Sequence, residues 1–292
     1  MAQSLPDEVR ASCAQVAAQA RSVRIDLDAL EHLEAGPVAE LDGERHYLEG
    51  EPEDVTSYFL TLDSINFGSG WFPTLRKRKG CSGYFTVAWA LADRWREAGP
   101  WSNDDLRRMR TEEIADTLGQ PRDHELMALY AQALRGLGRF LGERHPVEVV
   151  AAAGGSAAAL ARTLAEGMAL YDDRGFYKRA QIVPSNLALA GVAQFADVES
   201  LTIFADNLVP HVLRCERVLV YTDGLARVID EQRPLRLGGQ EREIRACAVH
   251  ACAQIAQRLG ISERELDHRL WTRGQRREYK ARPRHRCRCV YY

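Results

Sequence analysis

A chain of 292 residues with 46% apolar and 27% charged side chains can bury a sizeable core, as one large domain or two small ones. Its formal net charge of −2 excludes a surface given over to nucleic acid, because phosphate-dominated binding needs a basic field. Basic charge gathers only in Arg76-Lys77-Arg78-Lys79 and near the end of the sequence, two patches better suited to one small anion than to a long polyanion.

Helical periodicity runs from end to end. Val9, Cys13, Val16 and Ala20 form one apolar stripe, opening just after Pro6 at a first-turn position. Val55, Phe59 and Leu62 form a second and lead into Asn66-Phe67. Tyr84, Val87, Leu91 and Trp95 follow at the same spacing, ended by Gly99-Pro100. Leu126, Leu129, Tyr130, Leu137 and Leu141 line a long helix that stops before His145-Pro146. The Ala-rich run from Val147 to Leu170 is broken by Glu148, Arg162, Glu166 and glycines, so it is too polar to span a bilayer. Ile244, Cys247, Ala248, Ala251, Ile255 and Leu259 line another helix, closed by Gly260, and Ser262 to Glu265 reads as a capping box opening the next. Val218-Leu219-Val220-Tyr221 is the best of few strand candidates, and no βαβ alternation is visible. The fold class is therefore all-α with at most a few short strands. Residues 1–292 read as a single helical domain, with two lobes and a cleft between them as one arrangement of it.

Seven cysteines, at 13, 81, 215, 247, 252, 287 and 289, follow a polar, acidic N-terminus that lacks the apolar core of a secretory leader. That combination predicts free thiols in a reducing, cytoplasmic setting. Cys287-Arg288-Cys289 with Cys247 and Cys252 does not match the usual C-x2-C knuckle and has no compact histidine pattern beside it, so no metal site is expected. Walker, G-x-S-x-G, H-E-x-x-H and G-x-G-x-x-G motifs are absent. Gly154-Gly155-Ser156 is better explained as a helix break than as a phosphate cradle.

Three segments combine aromatic and polar residues unusually. In Asn66-Phe67-Gly68-Ser69-Gly70-Trp71 the glycines permit close backbone approach, and Phe67 or Trp71 could stack on a flat base or simply plug the core. Phe176-Tyr177-Lys178-Arg179 sets two cations beside two aromatics, as a phosphate holder or as a solvated helix start. Asp206 ends the apolar stretch Leu201–Ala205; Pro210 disfavours helix at Val209, so the chain turns just past Asp206, which is either a helix cap or an acid aimed into a cleft.

Taken in series, Phe176-Tyr177-Lys178-Arg179-Ala180-Gln181-Ile182, Thr202-Ile203-Phe204-Ala205-Asp206, Glu241-Arg242-Glu243-Ile244-Arg245 and the ending His285-Arg286-Cys287-Arg288-Cys289-Val290-Tyr291-Tyr292 resemble the queuosine salvage protein family over roughly residue 46 to the end. The resemblance implies a helical fold akin to the helix-hairpin-helix DNA glycosylases, hydrolysis of queuosine 5′-phosphate to release queuine, and a pocket for a 7-deazaguanine base. It places Asp206 on the acid of the family's F-A-D-Y-R-x-P block and Phe204 on its aromatic. Asn66 and Phe67 fall on the N-F of its helix-ending motif, Asp267 and Trp271 on the ends of its D-Y-Y-L-W block, and His46 near an upstream histidine. Departures are Asn207-Leu208 for Tyr-Arg, Asp267-His268-Arg269 for Asp-Tyr-Tyr, and a spread N-F-x-F-W that leaves open which ring stacks.

The chemistry then assigns Asp206 to the developing sugar cation and Asp267 to a donor-rich base edge. Phe67 or Trp71 is expected on the face of the base, and Lys178, with C-terminal arginines, at the 5′-phosphate; His46, Asn66, Phe204 and Trp271 complete the expected contacts. The expected partner is a small modified nucleotide, with no cofactor, nucleic-acid polymer, membrane or obligate protein partner. The competing expectations are a glycosidase for another nucleoside or nucleotide, and a non-catalytic binder of a modified base, which would need no acid under the sugar.

Overall fold

The computed structural model describes residues 3–38 and 40–292. In chain order the elements are α1 (Leu5–Gln19), β1 (Val23–Ile25), α2 (Leu27–His32), α3 (Pro52–Ser64), α4 (Gly83–Ala98), α5 (Asn103–Arg108), α6 (Thr111–Thr117), α7 (Glu125–Leu141), α8 (Pro146–Ala151), α9 (Ala157–Gly167), α10 (Lys178–Leu189), α11 (Val209–Cys215), β2 (Leu219–Tyr221), α12 (Asp223–Asp230), α13 (Gln240–Leu259), α14 (Glu263–Gly274) and α15 (Arg277–Lys280). The two strands pair antiparallel, with Arg24 opposite Val220, and form the one sheet among the described residues. The class is all-α, and the strand expected near Val218 is β2. No described helix is long and apolar enough to cross a membrane.

The helices form where the periodicity placed them, and the differences have local causes. The buried face of α1 ends at Cys13; Val16 and Ala20 stay partly exposed. Helix α7 ends at Leu141, where Gly142 at φ 60° accepts a conformation other residues resist, and His145 instead caps α8. Val209 is the first residue of α11 despite the following proline, because Pro210 lies in the first turn, where its missing N–H costs nothing. The capping box at α14 is only half formed: Ser262 accepts from the Glu265 N–H, but Glu265 holds Arg269 instead of reaching back. The Ala-rich run divides into α8 and α9 at Gly154 and Gly155, both at positive φ. There the first N–H groups of α9 are taken by Asp197, which accepts from Ala157 (2.6 Å), Ala158 (3.2 Å) and the Ser156 hydroxyl (2.7 Å). A resident carboxylate fills that helix start, so Gly154-Gly155-Ser156 is a break and not a phosphate cradle.

The chain divides into two compact units, each assembled from separated segments. The first comprises residues up to 39, 173–181 and 199–289; the second comprises 40–172, 182–198 and 290–292. In the first, α1 packs along α13, and Glu243 of α13 accepts from the Arg21 and Ser22 N–H groups where α1 gives way to β1. In the second, α7 packs closely on α5 and α6, and α3 lies against α4, α7 and α8.

Candidate functional site

In the first unit the structure brings together five of the residues picked out from sequence, on one loop and two helices. Residues 201–205 have no regular secondary structure, which is unusual for a buried stretch, so their backbone groups must find partners elsewhere. One is Asp267 of α14, whose Oδ1 accepts from the Phe204 N–H at 2.8 Å. Phe204 itself meets His268 edge-on at 6.0 Å between ring centroids. Trp271 follows Asp267 by one helical turn and stays partly exposed.

Asp206 turns the chain into α11. Its Oδ1 accepts from the N–H groups of Leu208 (2.6 Å) and Val209 (3.4 Å), so it does cap the helix. Oδ2 has no hydrogen-bond partner among the described residues, and the side chain is only partly buried. One oxygen is therefore structural and the other is available for chemistry.

Electrostatics tie these groups into one cluster. Burial pushes the Asp267 carboxyl up to about 7; the negative charge of Asp206 adds to the rise, while the Phe204 N–H and the Lys178 cation oppose it. Two acids and a lysine thus share one neighbourhood, the arrangement from which proton affinities are pulled apart. Lys178, the first residue of α10, is buried at 4% exposure, and Arg179 at 1%. This overturns the solvated-helix-start alternative. Sequence reasoning had pointed only generally to the C-terminal arginines; the one in this cluster is Arg284, whose hold on its proton is weakened by burial and strengthened by Asp206. His268, which replaces an expected tyrosine, is driven down to about 4 by burial and by Arg264, and is neutral at pH 7.

The other four residues lie in the second unit. His46 is buried, and its Nδ1 lies 2.9 Å from the Asp42 carbonyl, which can only accept, so Nδ1 carries the proton. Burial lowers the His46 pKa, keeping the ring neutral, and Nε2 accepts from the Tyr84 hydroxyl at 2.9 Å. Asn66 donates to Asp63 Oδ1 (3.1 Å), and Asn186 donates to both Asp63 oxygens (3.1 and 3.0 Å). Asp63 is fully buried and was not recognised from sequence, although a carboxylate within Tyr58-Phe59-Leu60-Thr61-Leu62-Asp63-Ser64-Ile65 was the available signal.

Phe67 and Trp71 are buried as well. Phe67 meets Tyr130 edge-on at 5.1 Å, and its carbonyl accepts from the Tyr130 hydroxyl; the Trp71 indole N–H donates to Glu125 at 2.7 Å. The Gly68 and Ser69 N–H groups donate to the Tyr292 carbonyl oxygen, so the glycine loop brings backbone close to backbone. A Cβ on Gly68, at φ +101°, would fall 2.6 Å from Leu126. None of the seven cysteines is paired in a disulfide, and no three His, Cys, Asp or Glu among the described residues are grouped to hold a metal ion.

Comparison with known proteins adds an independent line. Residues 46–292 match the family described as queuosine salvage protein. A protein of Sphaerobacter thermophilus named queuosine 5′-phosphate N-glycosylase/hydrolase is 29% identical over 309 aligned positions, covering 95% of each chain. Proteins of the same name from Mus musculus (33% identical, 48% of this chain and 49% of that one) and Dictyostelium discoideum (34% identical, 40% of each) match over shorter stretches.

Proposed function

Because the chain belongs to the queuosine salvage protein family, we propose that it is an N-glycosyl hydrolase that cleaves queuosine 5′-monophosphate and releases queuine for reuse in tRNA modification. The observation that carries the residue-level reading is Asp206: one oxygen locked by two backbone N–H groups, the other unpartnered, beside Asp267 and Lys178.

Cleaving a ribosyl C–N bond builds positive charge on the sugar. A carboxylate at ~4 Å in an effective dielectric of ~20 attracts that charge by about 4 kcal/mol, or roughly three powers of ten in rate. Asp206 Oδ2 is the group for this role and for orienting or deprotonating water; its fixed Oδ1 means that little reorganisation is needed. A 7-deazapurine has no N7 to protonate, so the departing base must be held by its edge and shielded from water. Asp267 accepts from that edge when ionised, and its value near 7 makes ionisation accessible at neutral pH. Phe204 and Trp271 supply apolar faces, and Lys178 meets the 5′-phosphate, whose binding energy orients the sugar.

Asp206→Asn tests this. Asparagine keeps the oxygen that caps α11, so the variant folds with nearly unchanged stability. It lacks the charge for the sugar cation, and turnover of queuosine 5′-phosphate is expected to fall by on the order of a hundredfold or more while queuine still binds. Near-wild-type turnover by the folded variant removes Asp206 from the mechanism.

A further inference from the structure

The block Glu241-Arg242-Glu243-Ile244-Arg245 has no role in the mechanism above, yet its last residue connects the two loops on which that mechanism depends. Arg245 is 1% exposed and extends from α13 beneath both segments. Its Nε donates to the carbonyl of Ala205 at 2.8 Å, directly before Asp206. Its two terminal nitrogens grip Asp173, Nη1 to Oδ1 at 3.0 Å and Nη2 to Oδ2 at 2.5 Å, while Nη1 also lies 3.4 Å from Glu241. The guanidinium lies over the Phe176 ring at 3.9 Å.

Asp173 governs the turn that presents Lys178. Its carbonyl accepts from the Phe176 and Tyr177 N–H groups, and its Oδ2 lies 3.4 Å from the Lys178 N–H. The turn is strained. Gly175 sits at φ +86°, where a Cβ would meet Arg242 and Ser12 at 2.7 Å, and Tyr177, not a glycine, sits at φ +49°. A bulky residue holds a left-handed backbone only where its surroundings over-determine it, and such strain gathers where geometry matters. Here the restraint is the Asp173–Arg245 fork together with the stacked Phe176 ring.

We propose that Arg245 is a positioning residue that fixes the Lys178 turn and the Asp206 loop relative to each other through one buried guanidinium. Neither segment has a sheet or an internal helix to hold it before Lys178 and Asp206 are reached. Arginine alone meets the requirement: five N–H donors in a planar fork serve a carboxylate, a carbonyl and an aromatic face at once, whereas an ammonium is a point charge. The proposal rests on the reading of Asp206 and Lys178 given above.

The test is Arg245→Lys, assayed by queuine release from queuosine 5′-phosphate. Lysine keeps the buried charge opposite Asp173 but puts one nitrogen where arginine has three, so the Asp173 and Ala205 contacts are no longer held in a fixed fork. The folded variant is expected to lose ten- to a hundredfold in kcat, the scale for a displacement of about 1 Å of reacting groups, with queuine affinity within threefold of wild type. Glu243→Gln, from the same block but bonded only toward Arg21 and Ser22, is expected to keep wild-type kcat. If the lysine variant does not fold, Asp173→Asn takes its place: it keeps an acceptor for the Lys178 N–H, loses the paired charge, and is expected to show the same kcat loss. Wild-type kcat in a folded Arg245→Lys or Asp173→Asn protein overturns the proposal, as does an equal loss in Glu243→Gln. A wild-type enzyme that releases no queuine overturns the functional reading instead, so the two failures are distinct.

Discussion

Replacing Asp267 by asparagine should make the protein more stable and less able to bind its base, and both effects can be sized from the geometry. The folded state raises the Asp267 carboxyl from 3.8 to about 7, first through burial and then through Asp206. A group with a raised folded pKa binds its proton more tightly folded than unfolded. Its contribution to stability is intact below pH 3.8 and is lost as pH rises toward 7. At about 1.36 kcal/mol for each tenfold change in proton affinity, that rise puts the cost of ionising Asp267 above pH 7 on the order of 4 kcal/mol.

Asparagine avoids that cost. Its oxygen accepts from the Phe204 N–H as Asp267 Oδ1 does, and its amide turns a donor toward Asp206 where a like charge stood. Thermal denaturation of wild type and Asp267→Asn at pH 4, 6 and 8 reads this directly. The variant's advantage should be near zero at pH 4 and grow to roughly 5–10 °C at pH 8, using about 2–4 °C per kcal/mol and allowing for local relaxation. Calorimetry with queuine should show the opposite. The amide presents donors to a donor-rich edge, and affinity should fall ten- to a hundredfold, about 1.5–3 kcal/mol. An advantage of the same size at every pH, or a variant less stable than wild type at pH 8, refutes the assignment of Asp267 as an acid held against its preference.

Two further outcomes follow from single side chains. Lys178→Ala should weaken binding of queuosine 5′-phosphate by about 1.5–3 kcal/mol and leave the free nucleoside nearly unaffected; equal losses for both, by calorimetry, would confine Lys178 to a structural role. On α7, a Cβ at Gly138 would lie 2.5 Å from the Arg107 nitrogen and 2.9 Å from the Asn103 oxygen, both backbone atoms, whereas one at Gly136 meets nothing within 4 Å. Gly138→Ala should therefore cost about 1–3 kcal/mol and Gly136→Ala should gain about 0.5–1 kcal/mol, measured by urea denaturation, with opposite signs from the same substitution on one helix.

The contrast between those two glycines also shows what the sequence could convey. Periodicity reports which face of a helix is buried, and α3, α4, α7 and α13 were legible for that reason. It does not report how closely a partner helix approaches, so Gly136 and Gly138 look alike until α5 is in place. Polar burial is harder still to read, because it is decided between pairs. Asp173 stands in Asp172-Asp173-Arg174, a run that looks solvated, and becomes buried only because Arg245, 72 residues on, reaches it. Asp206, Asp267 and Lys178 could be named because they sit in recognisable blocks. Asp63 and Asp173 sit in none, and each lies under a residue that was named: Asp63 holds the Asn66 amide, and Asp173 anchors the Lys178 turn. A buried charge needs a partner, so every charged residue assigned to a site implies a second residue that orients it. In this chain Asp63 stands only three residues before Asn66 and Asp173 five before Lys178, but neither belongs to a recognised block, and the fold had to be known before their part could be found.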